Sequence, residues 1–178
     1  MGLALPTGAS QAVAVDAASA QISNEYAMHA LNRDVNGLLI YTKTKLRISD
    51  GELNEGSNWE ALLLVAHHKL PCTIVIDYNK LQSFGRTNEV LNLEPLRDKF
   101  EAFNLECQIV NGHDHLEIFD ALNSSNDNPQ VIVLNTIKAH PLKYAMNKLE
   151  SHYYPPSSDE LTEGLKDIKE HYERHICN

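Results

Sequence analysis

The sequence has few cysteines, and their arrangement excludes two common classes of small protein. Only Cys72, Cys107 and Cys177 occur among its 178 residues, without the paired spacing of a zinc site or the even number of a disulfide framework. We therefore expect reduced thiols in a reducing compartment, with Cys72 and Cys107 acting as small core residues.

Basic segments and long apolar runs are also absent. No run approaches the roughly 20 apolar residues that span a bilayer, and Met1-Gly2-Leu3-Ala4 lacks the basic segment of a secretory signal. The formal charge of -9 and the pI near 5.4 argue against nucleic-acid binding, which requires a basic surface. We expect a cytoplasmic protein that binds neither nucleic acid nor membrane.

The motifs of two familiar hydrolase classes are missing as well. None of the nine histidines lies in the His-Glu-x-x-His arrangement of a zinc hydrolase. Ser83 and Ser157 lack the flanking glycines of a nucleophile elbow. We expect structural or solvent-facing roles for the histidines and no serine hydrolase activity.

The composition that remains is that of one globular domain. Hydrophobic residues make up 43% of the chain and charged residues 22%, which is ordinary for a folded protein. A chain of this length buries roughly 70% of its unfolded surface in a single core. We predict one domain over residues 1–178, with a divergent helical front end at 1–45 and a C-terminal helix at 157–175.

Short apolar runs alternate with helical patterns, which predicts an α/β fold with a mostly parallel sheet covered by helices on both faces. The helix over residues 58–68 is apolar on most sides and is expected to be buried. The segment 78–93 is expected to be a loop. Strands are predicted around 46–48, 72–76, 106–110 and 130–134, and further helices from Pro95 and over 116–122.

The two ends of the chain carry further helical patterns. Residues 9–31 are alanine-rich and predict a helix, and residues 37–41 predict a short strand. The C-terminal helix presents one apolar stripe, which we expect to pack against the domain or a partner. The stripe consists of Leu161, Leu165, Ile168 and Tyr172.

Polar residues follow two of the predicted strands. Asp50 and Gly51 come directly after the first strand, and Asn79 follows the next one. A small hard cation such as Mg²⁺ takes a few protein oxygens and completes its octahedron with phosphate and water. We predict that Asp50, Asn79 and the Leu81 carbonyl bind the metal, and that Gly51 lets its backbone approach a diphosphate. On spacing alone, a strand-ending turn with a solvated carboxylate is the favoured interpretation of Asp50 and Gly51, and the wider series of motifs favours the metal and diphosphate site.

A series of short motifs in one order extends this pattern. Together they resemble the thiamine-diphosphate-binding domain of transketolases, and most closely the amino-terminal subunit of split transketolases, from about Leu46 to Tyr153. The motifs are Asp50-Gly51-Glu52, Asn54-Glu55-Gly56, Trp59-Glu60-Ala61, Lys69-Leu70, Asp77 through Ser83, Gly85-Arg86-Thr87, Leu93 through Leu96, Asp98-Lys99-Phe100 and Gly112 through His115.

The resemblance implies a three-layer thiamine-diphosphate-binding fold and a cofactor pair, thiamine diphosphate and Mg²⁺. It implies transfer of a two-carbon ketol unit from a ketose phosphate to an aldose, performed only in a complex. The implied partner is a carboxy-terminal transketolase subunit that supplies the pyrimidine-binding domain, in a heteromer with two copies of each subunit. It also places Glu55 near the cofactor at the subunit interface, whereas Glu55 and Glu60 equally fit exposed acids at a helix start. No catalytic side chain is assigned.

The chain departs from the family pattern in four places. Ser49 stands where many relatives have glycine, the turn at Pro71-Cys72 is one residue shorter, and the front end lacks a motif around a substrate-contacting histidine. The segment 136–153 replaces two family glycines and carries Pro141, so weaker cofactor contacts are expected from this loop, although His152 and Tyr153 still match.

These departures leave two alternatives to the transketolase interpretation. One is a shortened, non-catalytic remnant that keeps the fold and the partner surface. The other is a different thiamine-dependent reaction, either acyl transfer or keto-acid decarboxylation.

Overall fold

The computed structural model describes residues 44–124 and 128–176, so the predicted front-end helix and strand lie outside the described residues. The described chain forms a four-stranded parallel sheet, a two-stranded antiparallel hairpin and five α-helices. The strands are β1 (Thr44–Ser49), β2 (Cys72–Tyr78), β3 (Leu81–Gln82), β4 (Gly85–Arg86), β5 (Glu106–Asn111) and β6 (Gln130–Asn135). The α-helices are α1 (Gly56–His68), α2 (Thr87–Val90), α3 (Leu96–Ala102), α4 (His115–Asn123) and α5 (Ser158–Ile176).

The parallel sheet has the strand order β1-β2-β6-β5. Its register aligns alternating apolar residues of neighbouring strands, so that Leu46 lies beside Ile74 and Ile74 beside Val131. Side chains on this face pack with helical residues such as Leu62 and Phe100 in one buried cluster. The period of two in these strands therefore builds one face of the main core.

The crossovers explain why helices cover both faces of the sheet. The connections from β1 to β2 and from β2 to β5 run in one direction across the sheet, whereas β5 to β6 runs back. Because such connections are right-handed, the returning helix α4 lies on the opposite face from α1 and α3. Ala121 of α4 is buried outside the main cluster, as this arrangement requires. The predicted fold class is confirmed.

Two local predictions were wrong. Helix α1 is not buried all round, because it packs through residues such as Leu62 and Val65 and leaves Leu63 and Leu64 exposed. The predicted loop over 78–93 contains the β3–β4 hairpin and the short helix α2. Two-residue strands and a four-residue helix are too short to produce a periodic pattern.

Helix α5 forms where it was predicted but packs through another face. Gly164 and Asp167 are buried, and the Asp167 carboxylate accepts a hydrogen bond from Lys143 N at 2.8 Å and pairs with Lys143 Nζ at 2.6 Å. The apolar stripe of this helix remains exposed along its length. The prediction that this stripe packs on the domain is therefore wrong for the described part of the chain. Gly164 and the ion pair between the buried Asp167 and the exposed Lys143 hold the helix instead. None of the described helices is both long and apolar enough to cross a bilayer.

Gly112, which follows β5, is packed tightly against the end of β6. A Cβ added there would lie 2.3 Å from Thr136 Cγ2 and 3.0 Å from Leu134 Cβ. Thr136 cannot move away freely, because its Oγ1 donates to Asp77 and its backbone N donates to Tyr78 O.

We therefore expect Gly112→Ala to lower the free energy of unfolding by about 1–3 kcal/mol in chemical denaturation. Gly56→Ala is the matched control, because nothing lies within 4 Å of a Cβ added there at the start of α1. This control should be neutral or stabilising by about 0.5 kcal/mol. Equal midpoints for both variants would contradict the close packing at Gly112.

Candidate functional site

The site lies at the carboxyl edge of the parallel sheet, where β1, β2 and β6 end side by side. Asp77, near the end of β2, ties these strand ends together. Its carboxylate pairs with Arg47 of β1 at 2.8 Å and accepts from Thr136 Oγ1 at 2.5 Å, just beyond β6. Asp50 N also donates to Asp77 O at 3.2 Å. Ligands of open α/β sheets bind at such an edge.

Asp50 is the buried acid of this edge, with 2% of its surface exposed. Its Oδ2 accepts a hydrogen bond from Lys80 N at 2.7 Å. Burial raises the pKa of this carboxyl to about 6, and the Asp77 charge adds to the rise, while amides of Lys80 and Gly51 and the Lys138 charge oppose it. A carboxylate held at this energetic disadvantage favours a cation beside it.

The turn after β2 brings Asn79 and Leu81 to the same place. Asn79 Oδ1 accepts from Leu81 N at 2.9 Å, and Lys80 has a φ of 66°, in the left-handed region. This conformation directs Lys80 N at Asp50. The structure thus places Asp50 directly against the Asn79–Leu81 turn, even though the chain between them has a shortened turn at Pro71.

A second group of side chains adjoins this turn and was not among the residues predicted to form the site. Ser83 Oγ lies 3.0 Å from His152 Nε2, and Lys138 Nζ lies 3.1 Å from His152 Nδ1. Partial burial and the Lys138 charge lower the pKa of His152. Lys138 is half-buried, and its charge also acts on Asp50. The sequence signal for His152 was its match to the family motif, whereas Lys138 lies in the divergent segment.

A family model described as the thiamine diphosphate binding domain of transketolase matches residues 4–172. The chain belongs to this transketolase family. The matched range begins far ahead of Leu46, so the resemblance extends into the front end that sequence motifs left uncertain.

Curated relatives of this transketolase domain include components of split enzymes. An apulose-4-phosphate transketolase subunit of Actinobacillus succinogenes is 40% identical over 124 residues, 68% of this chain and 45% of that protein. A 6-deoxy-6-sulfo-D-fructose transketolase subunit of Clostridium sp. is 40% identical over 109 residues, 59% of this chain and 40% of that protein. The chain thus spans less than half the length of these two relatives.

Solved transketolases share the fold. The crystal structure of transketolase from Campylobacter jejuni superposes with a TM-score of 0.74 and 25% sequence identity, covering 88% of this chain and 24% of that chain. This likeness agrees with the parallel sheet and its helices described above.

The residues at the sheet edge fit the metal that a transketolase domain implies. Asp50 supplies a buried carboxylate, Asn79 an amide oxygen and Leu81 a carbonyl, all hard oxygen donors of the kind Mg²⁺ prefers. Within residues 44–124 and 128–176, no cluster of three or more His, Cys, Asp or Glu side chains is arranged to hold a metal. A site with one carboxylate leaves coordination positions for phosphate and water.

Two buried polar atoms next to the turn, one acceptor and one donor, have no hydrogen-bond partner among the described residues. Asn54 Nδ2 donates to Gln82 Oε1 at 2.8 Å, but the buried Asn54 Oδ1 and Gln82 Nε2 have no hydrogen-bond partner. Gln82 directly follows Leu81. A buried donor without a partner is costly unless a ligand or water satisfies it.

The structure does not test the predicted roles of Gly51 and Glu55 in cofactor binding. Gly51 has φ -64° and ψ -37°, a conformation open to any residue, so only close approach of a ligand would require glycine there. Glu55 precedes α1, is exposed and makes no capping hydrogen bond. The roles of Gly51 and Glu55 in cofactor binding remain predictions.

A cavity of about 530 Å³ lies between the segment 139–151 and the start of α5. None of the residues predicted to bind the cofactor lines it. The candidate site is therefore an open sheet edge and not this separate cavity.

Proposed function

We propose that this chain binds the diphosphate of thiamine diphosphate through Mg²⁺ as one subunit of a transketolase. The reaction is transfer of a two-carbon ketol unit from a ketose phosphate to an aldose. The observation that carries the proposal is the contact of the buried Asp50 carboxylate with the turn that holds Asn79 and Leu81. This contact supports the assignment of these three residues to one metal site at the sheet edge.

Each residue of the edge has a distinct role in this proposal. Asp50, Asn79 and the Leu81 carbonyl hold the metal, and Gly51 gives the diphosphate room to approach. When bound, thiamine diphosphate supplies the carbon nucleophile of the reaction. We assign to the Lys138 ammonium group a charge-assisted hydrogen bond to a phosphate oxygen. The effect of its charge on Asp50 agrees with a position near this edge.

The second half of the site comes from a partner. Two relatives are named as subunits of transketolases, and the chain spans 45% and 40% of their lengths. We infer that a carboxy-terminal subunit supplies the pyrimidine-binding domain and that the isolated chain is inactive.

The test is calorimetric titration of thiamine diphosphate into the chain co-purified with a carboxy-terminal transketolase subunit. We expect binding that requires Mg²⁺, is lost in excess chelator and is far weaker for thiamine, which lacks the diphosphate. Asp50→Ala should remove the binding, whereas Asp159→Ala, an exposed acid of α5, should preserve it. Metal-independent binding, or binding that survives Asp50→Ala, would refute the proposal.

A non-catalytic subunit is the second candidate, favoured by Ala139 and Pro141, which stand where the family has glycines in the loop after Lys138. Turnover separates the two. The complex should be supplied with an aldose acceptor and with apulose 4-phosphate, 6-deoxy-6-sulfo-D-fructose or pyruvate as alternative donors. Ketol transfer from either sugar rejects the non-catalytic candidate, and decarboxylation of pyruvate alone would favour the other thiamine-dependent chemistry.

A further inference from the structure

Ser83 occupies the turn of the β3–β4 hairpin, two residues after Leu81. Pairing of Gln82 with Gly85 leaves Ser83 and Phe84 as the turn itself. The hairpin therefore continues directly from the Asn79–Leu81 turn that contacts Asp50. Whatever Ser83 holds is fixed relative to the candidate metal ligands.

Ser83 holds two consecutive residues of a distant segment. Its hydroxyl lies 3.0 Å from His152 Nε2, and its carbonyl accepts a hydrogen bond from the Tyr153 hydroxyl. These contacts join positions 69 and 70 residues apart in the chain. The hairpin is thus fastened at two points to the 3-10 turn Glu150–His152 and the residue after it.

The partners of His152 determine where its proton lies. An ammonium group can only donate, so Nδ1, which faces Lys138 Nζ at 3.1 Å, must be the unprotonated nitrogen. The neutral ring then carries its proton on Nε2 and donates it to Ser83 Oγ. His152 in this state cannot take a proton from Ser83, which excludes Ser83 as a nucleophile activated by this histidine.

The result is a chain of hydrogen bonds from the hairpin to a cation. Lys138 donates to His152, and His152 donates to Ser83. A fixed His152 ring fixes the direction of one N–H bond of the Lys138 ammonium group. The other two N–H bonds remain available to other acceptors. Lys138 lies two residues after Thr136, whose hydroxyl donates to Asp77 at the carboxyl edge of the sheet, and its ammonium group is joined through His152 to Ser83, two residues after Leu81. The ammonium group therefore stands between two segments that adjoin the candidate site.

We propose that Ser83 is a positioning residue that holds the His152 ring and thereby aims the Lys138 ammonium at the phosphate of the bound cofactor. The orientation of Lys138 toward a cofactor phosphate rests on the proposed function, whereas the hydrogen bonds among Lys138, His152 and Ser83 do not. Ser83 touches no reacting atom, and its contribution passes through His152.

The chain alone tests the hydrogen bonds, by ¹⁵N NMR of the histidine rings without cofactor. We expect wild-type His152 to be protonated on Nε2 with an Nε2–H proton that exchanges slowly with water. In Ser83→Ala this exchange should be at least about fivefold faster, since the accepting oxygen is gone. Ser83→Thr keeps a hydroxyl and should restore the slow exchange.

Ser151→Ala is the matched control. Ser151 adjoins His152, but its hydroxyl donates to Lys148 O at 2.7 Å and takes no part in the chain. Its removal should leave the His152 spectrum unchanged. A wild-type ring protonated on Nδ1, or a Ser83→Ala spectrum equal to that of wild type, would overturn the proposal.

Cofactor binding then tests the aiming in the two-subunit complex. Loss of one net hydrogen bond predicts that Ser83→Ala raises the Kd for thiamine diphosphate about fivefold, with Ser83→Thr and Ser151→Ala within about twofold of wild type. An unchanged Kd in Ser83→Ala would overturn the aiming role. If wild type binds no thiamine diphosphate, the proposed function fails, while the NMR result still decides the hydrogen-bond chain.

Discussion

Asp50→Asn is expected to abolish magnesium-dependent binding of thiamine diphosphate while making the chain itself more stable. The asparagine oxygen can still accept from Lys80 N, so the turn keeps its hydrogen bond. The negative charge that a divalent cation requires is lost. Substitution of a residue that only supports a metal ligand commonly weakens metal binding by about 10- to 100-fold. Loss of the charge on a ligand itself should therefore weaken binding by on the order of 100-fold or more.

The gain in stability follows from the pKa of Asp50, which folding raises from 3.8 to about 6. The folded chain therefore binds this proton more tightly than the unfolded chain, and the free energy of unfolding falls as the pH rises from about 4 through about 6. At pH 8 the ionised carboxylate destabilises the metal-free fold by about 3 kcal/mol, at about 1.4 kcal/mol for each pKa unit. Asparagine removes this penalty.

Urea denaturation of the metal-free chain at pH 4 and pH 8 checks the stability effect. Asp50→Asn should exceed wild type at pH 8 and approach it at pH 4. Asp120→Asn, at an exposed acid of α4, should show little difference at either pH. A loss of stability in Asp50→Asn at pH 8 would mean that the carboxylate stabilises the fold, contrary to its burial.

Lys138→Met is expected to weaken thiamine diphosphate binding by about 10- to 100-fold, because a charge-assisted hydrogen bond to the phosphate is lost. Methionine keeps an unbranched side chain of similar length, so packing should change little. Two local effects should accompany the loss. The pKa of Asp50 should rise further and the pKa of His152 should rise, since the Lys138 charge lowers both.

Calorimetry of the complex measures the affinity, and NMR titration of the isolated chain measures the two pKa values. Lys148→Met is the control, at a lysine of the same segment that lines the separate 530 Å³ cavity. It should bind the cofactor as wild type does. Equal losses in the two variants would show that general positive charge, and not the place of Lys138, governs binding.

Local patterns in the sequence were sufficient to predict the strands of the parallel sheet. The β-branched run of β2 and the apolar run of β6 are short and bounded by turn residues, so strands were predicted within one or two residues of their observed ends. The surfaces of the helices were less predictable. Leu63 and Leu64 look like core residues in sequence, but a helix lying on a sheet buries only one side.

The predicted site was partly accessible from the sequence for a geometric reason. Asp50 and Asn79 follow neighbouring parallel strands, so their proximity follows from the fold. The contacts among Ser83, Lys138 and His152 depend on how a hairpin and an irregular segment meet across 69 residues of chain. The hydrophobic periodicity of the sequence carries no information about such a long-range contact. Motif matching flagged His152 but could not show what it touches.

Asp77 is a carboxylate that gathers three strand ends without belonging to any predicted ligand set. The part of the site next to Asp77 is therefore held by the strands of the sheet. The loops further from the sheet can differ in length and composition without moving it. Under the proposed function, substitutions in those loops would alter the substrate and leave the cofactor site intact. Substitution of Asp77, by contrast, would release the ends of β1 and β6 together.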